Sequence, residues 1–331
     1  MVSPLQGECW VITDRAAGNQ RQALALAGRL GLRVRHLVWE PRAPWSWFAP
    51  HLLPGYKRAL PPGQRRHLTP PWPRVVIGCG RAASLFTRIV RKLARGRSFA
   101  VQILDPRIDP GHWDMVIAPR HDGIEGTHVI RTMGSLNPID AAWLEDGREA
   151  SPVLADLPRP RIGVLLGGPR KRWPLDAAYT QALAEHLLAR QQREGGSIMV
   201  VASRRTPADA VPLLRHALRD IPGLIWGGNQ DGNNPYPGVL AWADRLVVTP
   251  DSVNMLSEAC AVGCPVHTLV TSPLPAKLER FHRVLREAGL LHDIDAAVGT
   301  EQTPLRELSM VAGEVLVRMH EHERSANTGA P

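Results

Sequence analysis

Cysteine is scarce in this 331-residue chain. The four present, Cys9, Cys79, Cys260 and Cys264, are too few and too scattered for a disulfide framework. Cys260 and Cys264 stand four apart, but no His or Cys pair elsewhere completes a zinc set. No metal site and no bound cofactor are therefore expected, and all four read as small core residues of a reduced, cytoplasmic protein. No stretch approaches the roughly 18–20 uninterrupted apolar residues of a membrane span, so the chain reads as soluble or peripheral. Ahead of its short apolar run the N-terminus carries no Lys or Arg, and so it lacks a secretory pattern. Disorder is excluded as well, because 44% of the residues are hydrophobic and 21% charged, enough apolar mass for two cores.

Acidic residues are missing altogether between Glu40 and Asp105, where twelve basic ones occur, from Arg42 to Arg97. Interleaved with them are Trp45, Trp47, Phe48, Tyr56 and Trp72. The net charge of +9 comes wholly from the first half: residues 1–150 hold 21 Lys/Arg against 12 Asp/Glu, and the remainder 19 against 19. Cations mixed with aromatics suit an anionic membrane surface, where charges meet headgroups and rings insert at the interface. The same composition would serve a nucleic-acid backbone, but no nucleic-acid motif accompanies it and no such partner is expected. The bland alternative is a solvated, arginine-rich face. The anionic-surface reading puts residues 41–104 against the inner face of the cytoplasmic membrane.

Gly and Pro number 29 and 30, a density that fits many short loops. Between them, β-branched runs alternate with amphipathic stretches. Strands are expected at residues 9–13, 34–39, 74–78, 99–104, 114–118 and 128–131, then at 161–166, 197–201, 224–226, 245–248 and 265–269. This β-α-β alternation predicts parallel sheets covered on both faces. Two such sets make an α/β, bilobal plan with a ligand cleft between the lobes. The expected organisation is a first domain over 1–147 with a basic Pro/Trp-rich insertion at 41–73. A linker over 148–160 and a second domain over 161–302 follow. The last element is a helix over 303–324 that packs back on the first domain.

In open parallel sheets, ligands bind beyond the carboxyl ends of the strands. After the first strand of the second half come Gly167, Gly168, Pro169, Arg170 and Lys171, where bare backbone and cations stand together. The second is followed by Ser203, Arg204, Arg205, Thr206 and Pro207, and the fourth by Thr249, Pro250, Asp251, Ser252, Val253 and Asn254. Helix N-termini carry unsatisfied N–H groups and partial positive charge, which favour phosphate. Three such loops at one edge describe a diphosphate site without a metal. Glu258, nearly two turns beyond Ser252, is placed to accept hydrogen bonds from a ribose.

The first half offers a competing motif. Gly78-Cys79-Gly80-Arg81-Ala82-Ala83 fits a dinucleotide fingerprint, with Asp105 ending the next strand. Pro106, Arg81 and Arg107 crowd that site, and no Tyr-x-x-x-Lys pair accompanies it, so an NAD(P) enzyme is the weaker reading. Candidate bases for a hydroxyl acceptor are Asp122 and His121, then Asp14, all just after expected strands. Gly18, Asn19 and Arg81 are the candidate acceptor-side residues.

Taken together these residues resemble the mitochondrial-fission (elongated-mitochondria) protein family, whose bacterial members are regarded as glycosyltransferases. The resemblance runs from about Trp10 to Leu290. It rests on Ser203-Arg204-Arg205-Thr206-Pro207, on Asn234-Pro235-Tyr236, and on the run from Val248 through Thr249-Pro250-Asp251-Ser252 to Glu258-Ala259. Pro119-Arg120-His121-Asp122 and Gly167-Gly168 also fit. The resemblance implies a GT-B fold with two Rossmann-like domains. The Ser252-to-Glu258 spacing also looks like that of the undecaprenyl-muramyl-peptide N-acetylglucosaminyltransferase, in which the matching Glu meets the donor ribose. That enzyme's Gly-Gly-His loop stands here as Ala17-Gly18-Asn19-Gln20, without the His. The implied activity is metal-independent transfer of a sugar from a nucleotide-diphosphate donor to a hydroxyl acceptor, with a lipid-linked acceptor suiting the basic segment. Gly167, Gly168, Lys171, Ser203, Arg204, Arg205, Asp251, Ser252, Asn254 and Glu258 would bind the donor. Plant members of the family act in organelle division, which makes a non-catalytic adaptor for a membrane-remodelling partner the alternative.

Overall fold

The computed structural model describes residues 7–170 and 173–328, with side chains as far as Ser325. The chain divides into two compact units, one running up to Pro138 and resuming at Glu307, the other spanning Ile139–Arg306.

The first unit holds six parallel strands: β1 (Glu8–Thr13), β2 (Arg33–Val38), β3 (Val75–Cys79), β4 (Phe99–Ile103), β5 (Met115–Pro119) and β6 (Val129–Thr132). Their order is β2-β1-β3-β4-β5-β6. Side chains alternate between faces with the period of two that a strand imposes. Cys9, Val11, Val75, Ile77, Val101 and Ile117 enter one buried cluster, with α1 (Ala17–Arg29) and the C-terminal helix α11 (Leu308–Thr328). Trp10, Ile12, Val76, Ala100, Val116 and Ala118 enter the other, under α4 (Arg81–Leu93) and the insertion. The insertion, which includes α2 (Trp45–Phe48) and α3 (Pro62–Arg65), closes that second core with Ala49, Ala59 and Leu60.

α11 buries Leu308, Val311, Ala312, Val315 and Met319, a 3–4 spacing that aims one helical stripe at the first core. Glu307, just ahead of it, accepts the Met133 N–H at 2.9 Å and the Gly134 N–H at 3.2 Å. Sequence spacing starts this helix at 303; it begins instead at Leu308, after Leu305 and Arg306 have bonded the carbonyls of Cys260 and Ala261 in the second unit.

The second unit contains β7 (Arg161–Leu166), β8 (Ser197–Ala202), β9 (Gly223–Trp226), β10 (Arg245–Val248), β11 (Val266–Thr268) and β12 (His292–Asp293), in the order β12-β11-β10-β7-β8-β9. Its helices are α5 (Ala141–Glu149), α6 (Ala177–Glu194), α7 (Ala210–Ala217), α8 (Tyr236–Trp242), α9 (Val253–Cys260) and α10 (Ala276–Glu287).

No linker lies at 148–160. The chain passes between units at Pro138–Ile139, and α5 starts at once, with Asp140 capping it by accepting the Trp143 N–H at 2.9 Å. The Gly and Pro residues that resemble a break serve close packing instead. A Cβ on Gly147 would lie 2.8 Å from the Pro237 carbonyl, and one on Gly238 only 2.3 Å from Ser151. Trp242 Nε1 donates to Ser151 O at 3.0 Å, and Ser197 Oγ to Pro158 O at 2.7 Å, so this stretch is fastened to the second unit.

Each sheet reverses its strand order once, between β1 and β3 in the first unit and between β7 and β10 in the second. Beyond the carboxyl ends of such strand pairs an open sheet leaves room for a ligand.

Candidate functional site

At the reversal in the second unit, the loops after β7, β8 and β10 meet around one carboxylate. Asp251 is fully buried. Its Oδ2 accepts the Gly168 N–H at 3.0 Å and Arg205 Nη2 at 3.0 Å, and its Oδ1 accepts the Thr249 hydroxyl at 2.7 Å. Thr249 Oγ1 in turn accepts the Gly167 N–H at 2.8 Å. The loop after β8 is tied in by Ser203 Oγ and Thr206 Oγ1, which donate to Gly167 O at 2.9 and 2.6 Å. Arg170 Nε donates to Asp251 O at 2.8 Å, and from below His282 Nε2 donates to Pro250 O at 2.8 Å.

This arrangement reassigns three residues. The amides of Gly167 and Gly168 are spent on Thr249 and Asp251, so they do not point at an anion as the bare Gly-Gly backbone suggests. The need for glycine is internal. A Cβ on Gly167 would fall 2.1 Å from Asp251 Oδ1, and one on Gly168 would fall 2.4 Å from Arg205 O. Asp251 is likewise turned inward and acts as the tie between loops. The cap of α9 is Ser252, which accepts the Met255 N–H at 3.4 Å.

Cations remain on the outside. Arg204 is exposed, and the Arg205 side chain is 49% exposed even while it bonds Asp251. Burial and the nearby Arg205 pull the Arg170 guanidinium's pKa down, while Asp251 pushes it up. Two guanidiniums, those of Arg170 and Arg205, thus meet Asp251 next to the positive end of α9, and Arg204 stands exposed beside Arg205. Lys171 lies outside the described residues. Asn254 occupies the first turn of α9.

Glu258 is 4% exposed and accepts a hydrogen bond from the Tyr236 phenol. Tyr236 opens α8 in the Asn-Pro-Tyr motif, and its N–H bonds Asn234 Oδ1 at 3.0 Å. Tyr236, Thr249, Thr206, Arg170 and His282 all belong to this site. Arg170 is legible as a cation beside Gly167-Gly168 and the first three lie in recognisable motifs, but motif membership shows no direction for a side chain, and nothing in the sequence marks His282.

In the first unit, the reversal brings Asp14 and Asn19 to Gly80. Asp14 accepts the Ala16 N–H at 2.9 Å and Asn19 Nδ2 at 3.0 Å. Gly18 and Asn19 lie in the first turn of α1. Gly80, at φ +85°, would put a Cβ 2.6 Å from Asn19 Nδ2, and a Cβ on Gly78 would lie 2.6 Å from Thr87. Both glycines of the dinucleotide-like motif are therefore explained by internal contacts, and Asp105 closes its own turn on the Arg107 N–H at 2.7 Å. His121 and Asp122 follow β5, away from the reversal, with side chains 3% and 1% exposed and Nε2 3.5 Å from Oδ1. Arg81 is committed elsewhere, since its guanidinium donates to the carbonyls of Ala49, Trp47 and Ser46.

All four cysteines are buried and unpaired. Burial pushes the Cys9 and Cys264 thiols up to about 12, which keeps them protonated and inert. Among the described residues no group of three or more His, Cys, Asp or Glu is placed to hold a metal ion, and no helix is long and apolar enough to cross a membrane.

A family model described as mitochondrial fission ELM1 matches residues 17–319. Mitochondrial fission protein ELM1 of Arabidopsis thaliana is 35% identical over 244 residues, which is 66% of this chain and 56% of that protein. The chain thus spans little more than half of that relative's length. Among solved structures, the UDP-GlcNAc 2-epimerase of Methanocaldococcus jannaschii superposes with a TM-score of 0.56 at 12% identity, over 96% of this chain and 100% of that one. A UDP-glucosyltransferase from Polygonum tinctorium gives 0.54 at 14% identity, over 98% and 95%. These likenesses show the fold, the two-domain α/β arrangement of GT-B glycosyltransferases and epimerases.

Proposed function

The chain belongs to the mitochondrial fission ELM1 family, and on that premise we propose that its second unit binds the diphosphate of a nucleotide sugar, and that the protein transfers the sugar to a hydroxyl acceptor. One observation carries this reading: Arg205 bonds the buried Asp251 carboxylate and Arg170 bonds the Asp251 carbonyl at the strand-order reversal, beside the N-terminus of α9, with Arg204 exposed next to Arg205 on the same loop. That surplus positive charge would stabilise a leaving diphosphate as it gains negative charge, and the hydrogen bonds of Asp251 hold Arg205 in place beforehand. Preorganised donors of this kind contribute on the order of 10²–10³ in rate each. Because the guanidiniums supply the charge, the step needs no metal ion.

Glu258 would hold the ribose, with ribose hydroxyls taking the place of the Tyr236 phenol as donors. On the acceptor side the geometry favours Asp14 as base over His121 and Asp122. Asp14 is partly exposed at the reversal and oriented by Asn19, whereas the other two side chains are enclosed. Two structural neighbours are named for UDP-sugars, so UDP is the first nucleotide to try.

The test is release of nucleoside diphosphate from a panel of nucleotide sugars, with and without lipid-linked acceptors. Turnover that falls about a hundredfold in Arg205→Ala supports the reading. A second reading, an adaptor without catalysis, draws on the same geometry: Thr249, Asp251 and Tyr236 satisfy the loops internally, so the scaffold is complete without a ligand. Absence of both turnover and nucleotide binding across the panel would favour the adaptor.

A further inference from the structure

The insertion in the first unit carries the only strongly exposed aromatic side chains among the described residues, Trp47 at 70% and Phe48 at 51%. They are adjacent on α2. An exposed apolar pair gains nothing in water and marks a contact surface. The backbone beneath the pair is already satisfied from within. Arg81 donates Nε to Ala49 O at 2.8 Å, and Nη2 to Trp47 O at 2.8 Å and Ser46 O at 3.2 Å. Arg88 Nη1 donates to Pro50 O at 2.6 Å. A tip with bonded carbonyls enters an apolar layer without the cost of stripping water from bare peptide groups.

Cations flank the tip. The Arg42 N–H bonds Ala59 O at 2.9 Å, which sets Arg42 beside the turn that carries Lys57 and Arg58, and all three side chains are exposed. From Pro41 to Leu104 the chain has no carboxylate to neutralise them. An acidic protein segment would use the cations but leave Trp47 and Phe48 unexplained. An apolar protein groove would use the aromatics but leave the cations unexplained. An anionic bilayer uses both, with phosphates over the cations and rings at the headgroup–acyl boundary.

We propose that α2 is a membrane wedge: Trp47 and Phe48 insert into an anionic bilayer, Arg42, Lys57 and Arg58 meet the headgroups, and Arg81 is the positioning residue that holds the tip rigid. The inference is independent of the nucleotide site.

The test is co-sedimentation of the full chain with vesicles of phosphatidylcholine alone or mixed with phosphatidylglycerol, at low salt. Wild type should sediment with the mixed vesicles and be released by salt. Trp47→Ala/Phe48→Ala, its fold checked by an unchanged unfolding temperature, should lose at least about tenfold in partitioning. Phe48→Cys carrying an environment-sensitive dye should blue-shift on mixed vesicles, the native thiols being buried. The proposal fails if wild type ignores the vesicles or the double variant binds as well as wild type. It also fails if the pair proves to hold two copies of the chain together in sedimentation velocity.

Discussion

Replacing Asp251 with Asn keeps the size of the side chain and removes one acceptor. With its oxygen in the Oδ2 position, the amide still receives the Gly168 N–H and Arg205, but its NH₂ then faces Thr249 Oγ1, 2.7 Å from Oδ1. That hydroxyl already accepts the Gly167 N–H, so its own proton loses its partner. The opposite flip is worse, because it sets the NH₂ against two donors. A buried unsatisfied group costs about 1–3 kcal/mol. The lost ionic attraction to Arg205 adds under about 1 kcal/mol, since half of that side chain is in water. The sum is about 1–4 kcal/mol, which for a unit of this size lowers the unfolding temperature by roughly 2–16 °C. Calorimetry of the variant reads this directly, and titration with UDP should show weaker binding because Arg205 is no longer held. If Asp251→Asn unfolds within about 1 °C of wild type, Asp251 is not the tie between the loops.

Gly168→Ala should displace the Arg204–Arg205 loop, because its Cβ would fall 2.4 Å from Arg205 O; loss of nucleotide binding with a folded circular dichroism spectrum would show it. Tyr236→Phe removes a competing donor to Glu258 and should raise UDP affinity severalfold by calorimetry, while unchanged affinity would remove ribose from that carboxylate. Burial pushes His267 and His282 down to about 4, below the ordinary value near 6.5, so the unfolded chain binds more protons between those limits. Stability is therefore full above about pH 6.5 and is lost as the pH falls towards 4, by about 3 kcal/mol for each. Urea titrations at a series of pH values should show this slope, and His267→Asn/His282→Gln should flatten it.

Most strands announce themselves as continuous apolar runs, Val75-Val76-Ile77 and Val164-Leu165-Leu166 among them, because a strand buried on both faces needs them. β12 escapes this logic, being two polar residues recruited by pairing with β11. Residues 148–160 were hidden for the opposite reason: their prolines, and the glycine just before them, look like breaks until the close packing of α5 on α8 is seen. At the site, the right loops are legible because the fold rule names strand ends. The direction of each group is not, since Asp251 and Ser252 are both good caps in sequence and only packing decides that the first turns inward. Arg81 is misplaced for a related reason, as no local pattern reveals carbonyls more than thirty residues away.

The central claim is that the second unit binds a nucleoside diphosphate, and calorimetric titration of the full chain with UDP, with and without EDTA, tests it most directly. The account predicts saturable 1:1 binding that EDTA leaves unchanged and that Arg205→Ala weakens by about tenfold or more. Ligand at about 100 times its Kd should also add roughly 2.7 kcal/mol of stability. No heat from UDP, GDP, ADP or CDP at millimolar concentration, with the wild-type fold intact, would contradict it.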